Sequence, residues 1–364
     1  MQVTIVGLPG AGKTTVFNAL TGGNAETGAF SGGRAAPNVA VVKVPDERLD
    51  RLSALYAPKK TTPADVTYVD VAIPAGAARE GTIAPDVLAQ IRNADALLHV
   101  ARAFDGAGAE RAADPWRDVD EMDTEFVIAD LTVIEKRLEK LRTSGRHGSP
   151  GEREENAREE ELLDRIEPDL SRGTPLRAIS LDAEAERRLR GYRFLTQKPV
   201  LVLLNLDESQ LAAAAQRETD GRARYPQPQS DVAALAGKIE AEIGQLSAED
   251  APLFMEELGI TEPSRGRVIR LTYDLLGLFS FFTAGEDECR AWTLRRGDTA
   301  VEAAGAIHSD LARGFIRAEV VSYDDLMTCG GLPEARKRGL LRSEGKTYLV
   351  RDGDVIQVLF NVGR

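Results

Sequence analysis

The sequence predicts an α/β fold: a mainly parallel sheet interrupted by an inserted helical coiled-coil hairpin and followed by a small C-terminal α+β domain. Three stretches carry that prediction. In MQVTIVGLPGAGKTTVFNAL an apolar run (Val3, Ile5, Val6) leads into Gly7-Leu8-Pro9-Gly10-Ala11-Gly12-Lys13-Thr14, the G-x-x-x-x-G-K-[ST] pattern of a P-loop. An amphipathic run (Val16, Phe17, Ala19, Leu20) follows it. Lys198-Pro-Val-Leu-Val-Leu-Leu204 is an unbroken apolar run of the kind a central parallel strand needs, being covered on both faces. Val127, Leu131, Ile134, Leu138 and Leu141 are spaced 4-3-4-3 with Glu and Lys between them, which is a heptad seam.

The P-loop is a phosphate site by its chemistry. Gly7, Gly10 and Gly12 let the backbone bend so that its N–H groups surround phosphate oxygens, and the helix beginning at Lys13 presents its positive dipole end to the same anion. Lys13 reaches toward the β- and γ-phosphates, and Thr14 is a ligand for Mg²⁺. Leu8, Pro9, Ala11 and Thr15 complete the nucleotide-contacting stretch. The bland alternative, a glycine-rich turn with a chance Gly-Lys-Thr, does not account for the strand-like run before it and the helical run after it.

Residues 21–33 (TGGNAETGAFSGG) read as a loop. Residues 39–44 then read as a strand, 45–50 open a helix, and 66–71 form a second strand ending at Asp70. A carboxylate at such a strand end takes the Walker B role and holds Mg²⁺ through water. A helix at 87–93 precedes a strand at 95–101, where His99 alternates with apolar neighbours and reads as a structural core residue. A helix over 116–142, a polar break at 144–151 and a charged helix over 152–167, ended by Pro168, make the antiparallel hairpin, because the α/β pattern returns after it. The strand at 198–204 delivers Asn205-Leu206-Asp207-Glu208 to its carboxyl end, where ligands bind in open α/β sheets. Ala236-Gly237-Lys238 lead into a helix at Ile239 and join Asn205 and Glu208 as candidate nucleotide contacts. Helices over 250–258 and 268–278 follow. The last segment has short strands at 291–294, 316–321, 348–350 and 355–360, with one helix at 299–312. The expected domains are 1–115 and 198–280 for nucleotide binding, 116–197 for the helical insertion, and 281–364 for the C-terminal domain.

Composition narrows the function classes. A formal charge of −12 opposes nucleic-acid binding through the whole surface, although Arg187-Arg188-Leu189-Arg190 and Arg336-Lys337-Arg338 are local basic clusters, each reading first as a solvated helix face. No apolar run of about 18 residues exists to span a membrane. Met1 enters a strand almost at once, so a cytoplasmic location is expected. Cys289 and Cys329 stand 40 residues apart, and His99, His147 and His308 are scattered, so no Cys/His metal site is expected and both cysteines read as ordinary thiols.

With Asn205-x-x-Glu208 added to the P-loop, the chain resembles the Obg-like ATPase (YchF) family of translation-factor-class P-loop proteins, over nearly its whole length. The resemblance is strongest at Val44-Pro-Asp-Glu-Arg-Leu-Asp50, Phe282-Thr-Ala-Gly285, Arg290-Ala-Trp-Thr293, Gly314-Phe-Ile-Arg-Ala-Glu-Val320 and Asp352-Gly-Asp354. It implies a G-domain-like P-loop NTPase with a coiled-coil insert and a C-terminal TGS domain. It also implies slow ATP hydrolysis with Mg²⁺, and contact with the ribosome or another RNA-containing partner through the coiled coil and the TGS domain. ATP is implied first and GTP as a weaker ligand. Relatives that prefer GTP end the motif in Asp, whose carboxylate accepts from the two guanine donors, whereas Glu208 is one methylene longer and adenine lacks such donors. Asn205 remains able to bond adenine N7 and the 6-amino group.

The chain departs from the family at two places. The family reads Asp-x-x-Gly where this chain has Asp70-Val71-Ala72-Ile73-Pro74, so a γ-phosphate contact falls to Ile73, which lacks the φ > 0 freedom of glycine. The family threonine that closes over Mg²⁺ aligns with Arg34, which is either a cation that neutralises transition-state charge or a solvated loop residue. Two functions remain open at this point: a slow ATPase acting as a nucleotide-dependent switch, and a binding module that no longer hydrolyses nucleotide.

Overall fold

The computed structural model describes residues 1–23, 25, 37–71, 83–105, 111–144, 148–247, 249–260 and 262–361. They divide into two compact units, Met1–Ala40 with Thr67–Val268, and Val41–Val66 with Ile269–Arg364. The chain runs β1 Gln2–Val6, α1 Lys13–Thr21, β2 Asn38–Lys43, α2 Glu47–Tyr56, β3 Lys60–Thr62, β4 Asp65–Asp70, α3 Pro85–Arg92, β5 Ala96–Arg102, α4 Pro115–Ser144 and α5 Pro150–Ser171. It continues with α6 Ala183–Leu189, β6 Val200–Asn205, α7 Ala214–Arg224, β7 Ser230–Leu235, α8 Gly237–Ile243, α9 Asp250–Glu257 and α10 Ser264–Leu275. The last part holds β8 Leu278–Thr283, β9 Glu288–Arg295, α11 Ala300–Ile307, α12 Ser309–Arg313, β10 Phe315–Ser322, α13 Tyr323–Cys329, α14 Leu332–Lys337, β11 Arg342–Glu344 and β12 Asp354–Phe360.

The first sheet has the order β2-β4-β1-β5-β6-β7. From β4 to β7 each neighbouring pair is parallel. Every position of β6 is buried, as the apolar run at 200–204 requires of a central strand covered on both faces. Parallel strands bring their carboxyl ends to one edge, so Val6, Asp70, Arg102, Asn205 and Leu235 all end there.

Helix α4 serves two cores. Val119, Met122 and Phe126 pack with the sheet residues Leu97, Val202 and Val232. Further along, Ile134, Leu138 and Leu141 pack with Leu162, Leu163, Ile166 and Leu170 of α5, and half-buried Val127 and Leu131 lie against the same cluster. The heptad seam is therefore the interior of a helical arm. Ser149 caps α5 reciprocally with Glu152, and Pro150 occupies its first turn, where a missing N–H costs nothing. The expected stop at Pro168 is corrected: α5 runs on to Ser171 with the proline inside it. Ile166 and Leu170 are both wholly buried, and that burial offsets the hydrogen bond the proline removes.

The second unit carries a sheet of order β11-β10-β12-β8-β9-β3. One face holds a core of Phe279, Phe281, Leu294, Ala303, Ala304, Phe315, Val320 and Ile356. Its edge strand β3 pairs parallel with β9. It comes from the segment Val41–Val66, which the sequence reading leaves in the nucleotide-binding domain. The motif at 44–50 is built into this unit, since Arg48 bonds Asp46 through two nitrogens and also Asp352. Gly353, at φ +86°, leaves room for that guanidinium, which a Cβ would approach to 3.2 Å. Two further expectations are corrected. The single helix at 299–312 is α11 and α12, broken at His308, whose backbone is extended and whose Nδ1 accepts from Asp310 N. Residues 348–350 form no strand, only an isolated bridge between Thr299 and Leu349.

Candidate functional site

The loop between β1 and α1 is shaped by its glycines. Gly7, Gly10 and Gly12 have φ of +146°, +82° and +86°, where L side chains are strained. Two of them also lack space: a Cβ on Gly7 would meet Val100 O at 2.3 Å, and one on Gly12 would meet Asn205 Nδ2 at 2.4 Å. Inside the loop, Lys13 Nζ donates to Gly7 O (2.9 Å) and Leu8 O (3.2 Å). Burial pushes its pKa down to about 8, with Asp70 opposing the shift. The ammonium is thus held where an incoming anion would complete its partners.

Asp70, at the end of β4, meets Thr14 at the start of α1. The Thr14 hydroxyl donates to Asp70 Oδ2 at 2.8 Å, and Asn38 Nδ2 donates to the same oxygen at 3.2 Å. Asp70 Oδ1 is buried without a hydrogen-bond partner among the described residues. An unsatisfied buried carboxylate oxygen beside a threonine hydroxyl is a donor set that suits a hard cation, so these residues fit Mg²⁺. Among the described residues no group of three or more His, Cys, Asp or Glu could hold a metal.

Asn205 closes the site on its other side. Its Nδ2 donates to Ala11 O (3.0 Å) and its Oδ1 accepts from Gly237 N (3.0 Å). A Cβ on Gly237 would stand 2.9 Å from that Oδ1. The glycines at 12 and 237 therefore share one purpose: they let a single amide bracket the P-loop and the β7–α8 turn. Sequence reasoning gives Asn205 to the base, whereas here both ends of its amide hold backbone. Asp207 is taken up in capping, accepting from Ser209 N (3.1 Å) and Ser209 Oγ (3.0 Å). Glu208 is exposed at the start of the short helical turn Glu208–Ala213. Ala236 is buried and Lys238 is exposed beside Glu242.

The structure thus gathers Gly7 to Thr14, Asp70, Asn205 and Gly237, and leaves Glu208 and Lys238 at the surface. Arg34, Ile73 and Pro74 lie outside the described residues, as do His147 and most of the loop at 21–33. Two neighbours escaped the sequence reading. Asn38 stands beside the loop expected to face Mg²⁺, and Phe104, just past β5, comes within 3.8 Å of a Cβ placed on Gly12. Phe104 follows the carboxyl end of β5, which was its signal; Asn38 opens β2 and is placed only by its bond to Asp70. His99 is buried in β5, and burial pushes its pKa down to about 3, so it is neutral. In the basic clusters, Arg188 pairs with Glu184 and Glu155, Arg336 with Glu319, and Lys337 and Arg338 with Glu334.

Residues 2–136 match the profile of a family described as a 50S ribosome-binding GTPase. Residues 278–361 match a profile named for the C-terminal region of YchF GTPases and described as a protein of unknown function. The chain is 38% identical over 364 residues to the ribosome-binding ATPase YchF of Bacillus subtilis (strain 168), covering 98% of each chain. It is 37% identical over 371 residues to the protein of the same name from Escherichia coli O157:H7, again covering 98% of each. The solved structure of the Schizosaccharomyces pombe YchF GTPase superposes with a TM-score of 0.83 at 28% identity, over 99% of this chain and 97% of that one.

Proposed function

The chain belongs to the YchF family, and from that membership we propose that it is a cytoplasmic ATPase of slow turnover whose nucleotide state sets its association with the ribosome. In this reading it binds ATP ahead of GTP and meets its partner through the helical arm and a C-terminal TGS domain. The observation that carries the reading is the Thr14–Asp70 pair at the P-loop, with Asp70 Oδ1 left for a cation and Lys13 for an anion. Thr14 directly, and Asp70 through water, would hold Mg²⁺, which when bound neutralises charge on the phosphate oxygens.

The rest falls to the chain's own groups. Loop amides and the α1 dipole hold the phosphates, and Lys13 carries positive charge to the β- and γ-groups. Asn205 keeps the P-loop in register with the β7–α8 turn. The family resemblance supplies no catalytic glutamine, so hydrolysis rests on positioning and electrostatics. The preference for ATP rests on the absence of a guanine-reading carboxylate, because Asp207 is committed to capping Ser209 and Glu208 is the longer residue. A single-turnover assay with radiolabelled ATP, run beside ribosome pelleting, tests this reading. Slow, stoichiometric ADP formation is expected. Protein that pellets with ribosomes and holds intact ATP for hours would instead be a non-hydrolysing binding module.

A further inference from the structure

We propose that a clamp between α3 and α4, centred on Arg92 and Asp130, transmits the nucleotide state of the P-loop site to the helical arm. The proposal rests on the reading above that the site alternates between ATP and ADP. After β4 ends at Asp70, the next described helix is α3, and α4 holds it at both ends. In front of α3, Ile83 N donates to Glu125 Oε2 of α4 at 3.2 Å. At its last residue, Arg92 Nη1 donates to Asp130 Oδ1 (2.8 Å) and Arg193 O (3.1 Å), and Nη2 donates to Ala129 O (3.1 Å). Between those ends Val87 and Ile91 share a core with Val119, Met122 and Phe126 of α4.

Asp130 is wholly buried, and it also accepts from Leu195 N, Thr196 N and Thr196 Oγ1 at 2.8–3.1 Å. Lys198 Nζ donates to Arg92 O and Ala94 O, so the turn feeding β6 is fastened to the same point. Wholly buried Asp130, with one oxygen on half-buried Arg92 and Leu195 N and the other on Thr196, is geometrically exacting, and it does not deform smoothly. One turn beyond Asp130 lies Ile134, the first fully buried α4 residue of the arm core. From there the same unbroken helix runs to Ser144, about 15 Å at helical rise. A shift of α3 therefore has to move α4, and α4 carries the arm with it.

Hydrogen exchange on the full chain, with a non-hydrolysable ATP analogue or ADP and Mg²⁺, tests the clamp in the unmodified protein, Arg92→Gln and Arg137→Gln. Arg137 pairs with Glu159 inside the arm and serves as the control. The analogue and ADP should protect P-loop amides in all three proteins. Exchange over residues 134–170 should differ at least twofold between the two nucleotides in the unmodified protein and in Arg137→Gln, and the difference should vanish in Arg92→Gln. An arm response that persists in Arg92→Gln, or is absent from the unmodified protein while the P-loop is protected, overturns the clamp alone. Absence of P-loop protection in the unmodified protein overturns the nucleotide-binding reading and the clamp together. Should Arg92→Gln melt before the assay temperature, Thr196→Val, which removes one donor to Asp130, is read by the same criterion and is expected to reduce the arm response at least twofold.

Discussion

Replacing Gly12 by alanine tests the bracket formed by Asn205. The residue has φ +86°, and its Cβ would stand 2.4 Å from Asn205 Nδ2, closer than real side chains approach. The strained backbone costs about 1–2 kcal/mol relative to glycine. To make room the amide must swing away, breaking its bonds to Ala11 O and Gly237 N and leaving buried Gly237 N unmatched. Losing those bonds adds about 2–3 kcal/mol, for a total of about 3–5 kcal/mol. Gly10→Ala is the matched control, because Gly10 has φ +82° but nothing within 4 Å of its Cβ position, so only the backbone term applies. Thermal unfolding with and without ATP reads both effects. Gly12→Ala should melt well below Gly10→Ala and lose the ATP-induced rise. Melting within about a degree of Gly10→Ala, with the ATP rise intact, would refute the bracket.

Four further outcomes follow from the same geometry. Because the Lys13 pKa in the nucleotide-free protein is about 8 and phosphate favours the charged form, ATP affinity should be flat below pH 8 and fall above it, approaching tenfold per unit. Calorimetry in buffers of different ionisation enthalpy should show the matching proton uptake; pH-independent affinity would contradict it. The same lowered pKa means that the unfolded chain binds more protons between about pH 8 and 10.5, so nucleotide-free stability should gain from this group across that window, a gain absent in Lys13→Met. Glu208→Asp should move the GTP/ATP preference toward GTP by about 1–3 kcal/mol, the scale of one base-edge pair, as read by competition binding. Ile166→Ala in the arm core should cost about 2–5 kcal/mol in urea unfolding while ATP affinity stays unchanged, because its neighbours belong to the arm.

The parallel sheet, the P-loop and the arm were legible because each depends on a local pattern: an unbroken apolar run at 200–204, fixed glycine spacing, and a heptad seam at 127–141. What escaped was set by distant partners. Strand β3 has only three residues, and it exists because β9 is beside it. Ser230–Leu235 gave no clear alternation, since β7 takes its burial from β6 and from helices packed over it. Pro168 misled because its local penalty is outweighed by Leu170 burying in the arm. In the site, Thr14 and Asp70 could be paired by their roles from sequence, whereas the bracketing by Asn205 could not. It joins residues 11, 205 and 237, and only the fold brings these together.

The central claim, that the loop from Gly7 to Thr14 with Asp70 holds ATP and Mg²⁺, is tested most directly by equilibrium titration of ATP, with Mg²⁺ and with EDTA, into the unmodified chain and Lys13→Ala. The account predicts saturable binding that weakens at least tenfold when Mg²⁺ is removed, about 1.4 kcal/mol. It also predicts no measurable binding to Lys13→Ala at an unchanged far-ultraviolet dichroism spectrum. Equal ATP affinity in the two proteins, with or without Mg²⁺, would contradict it.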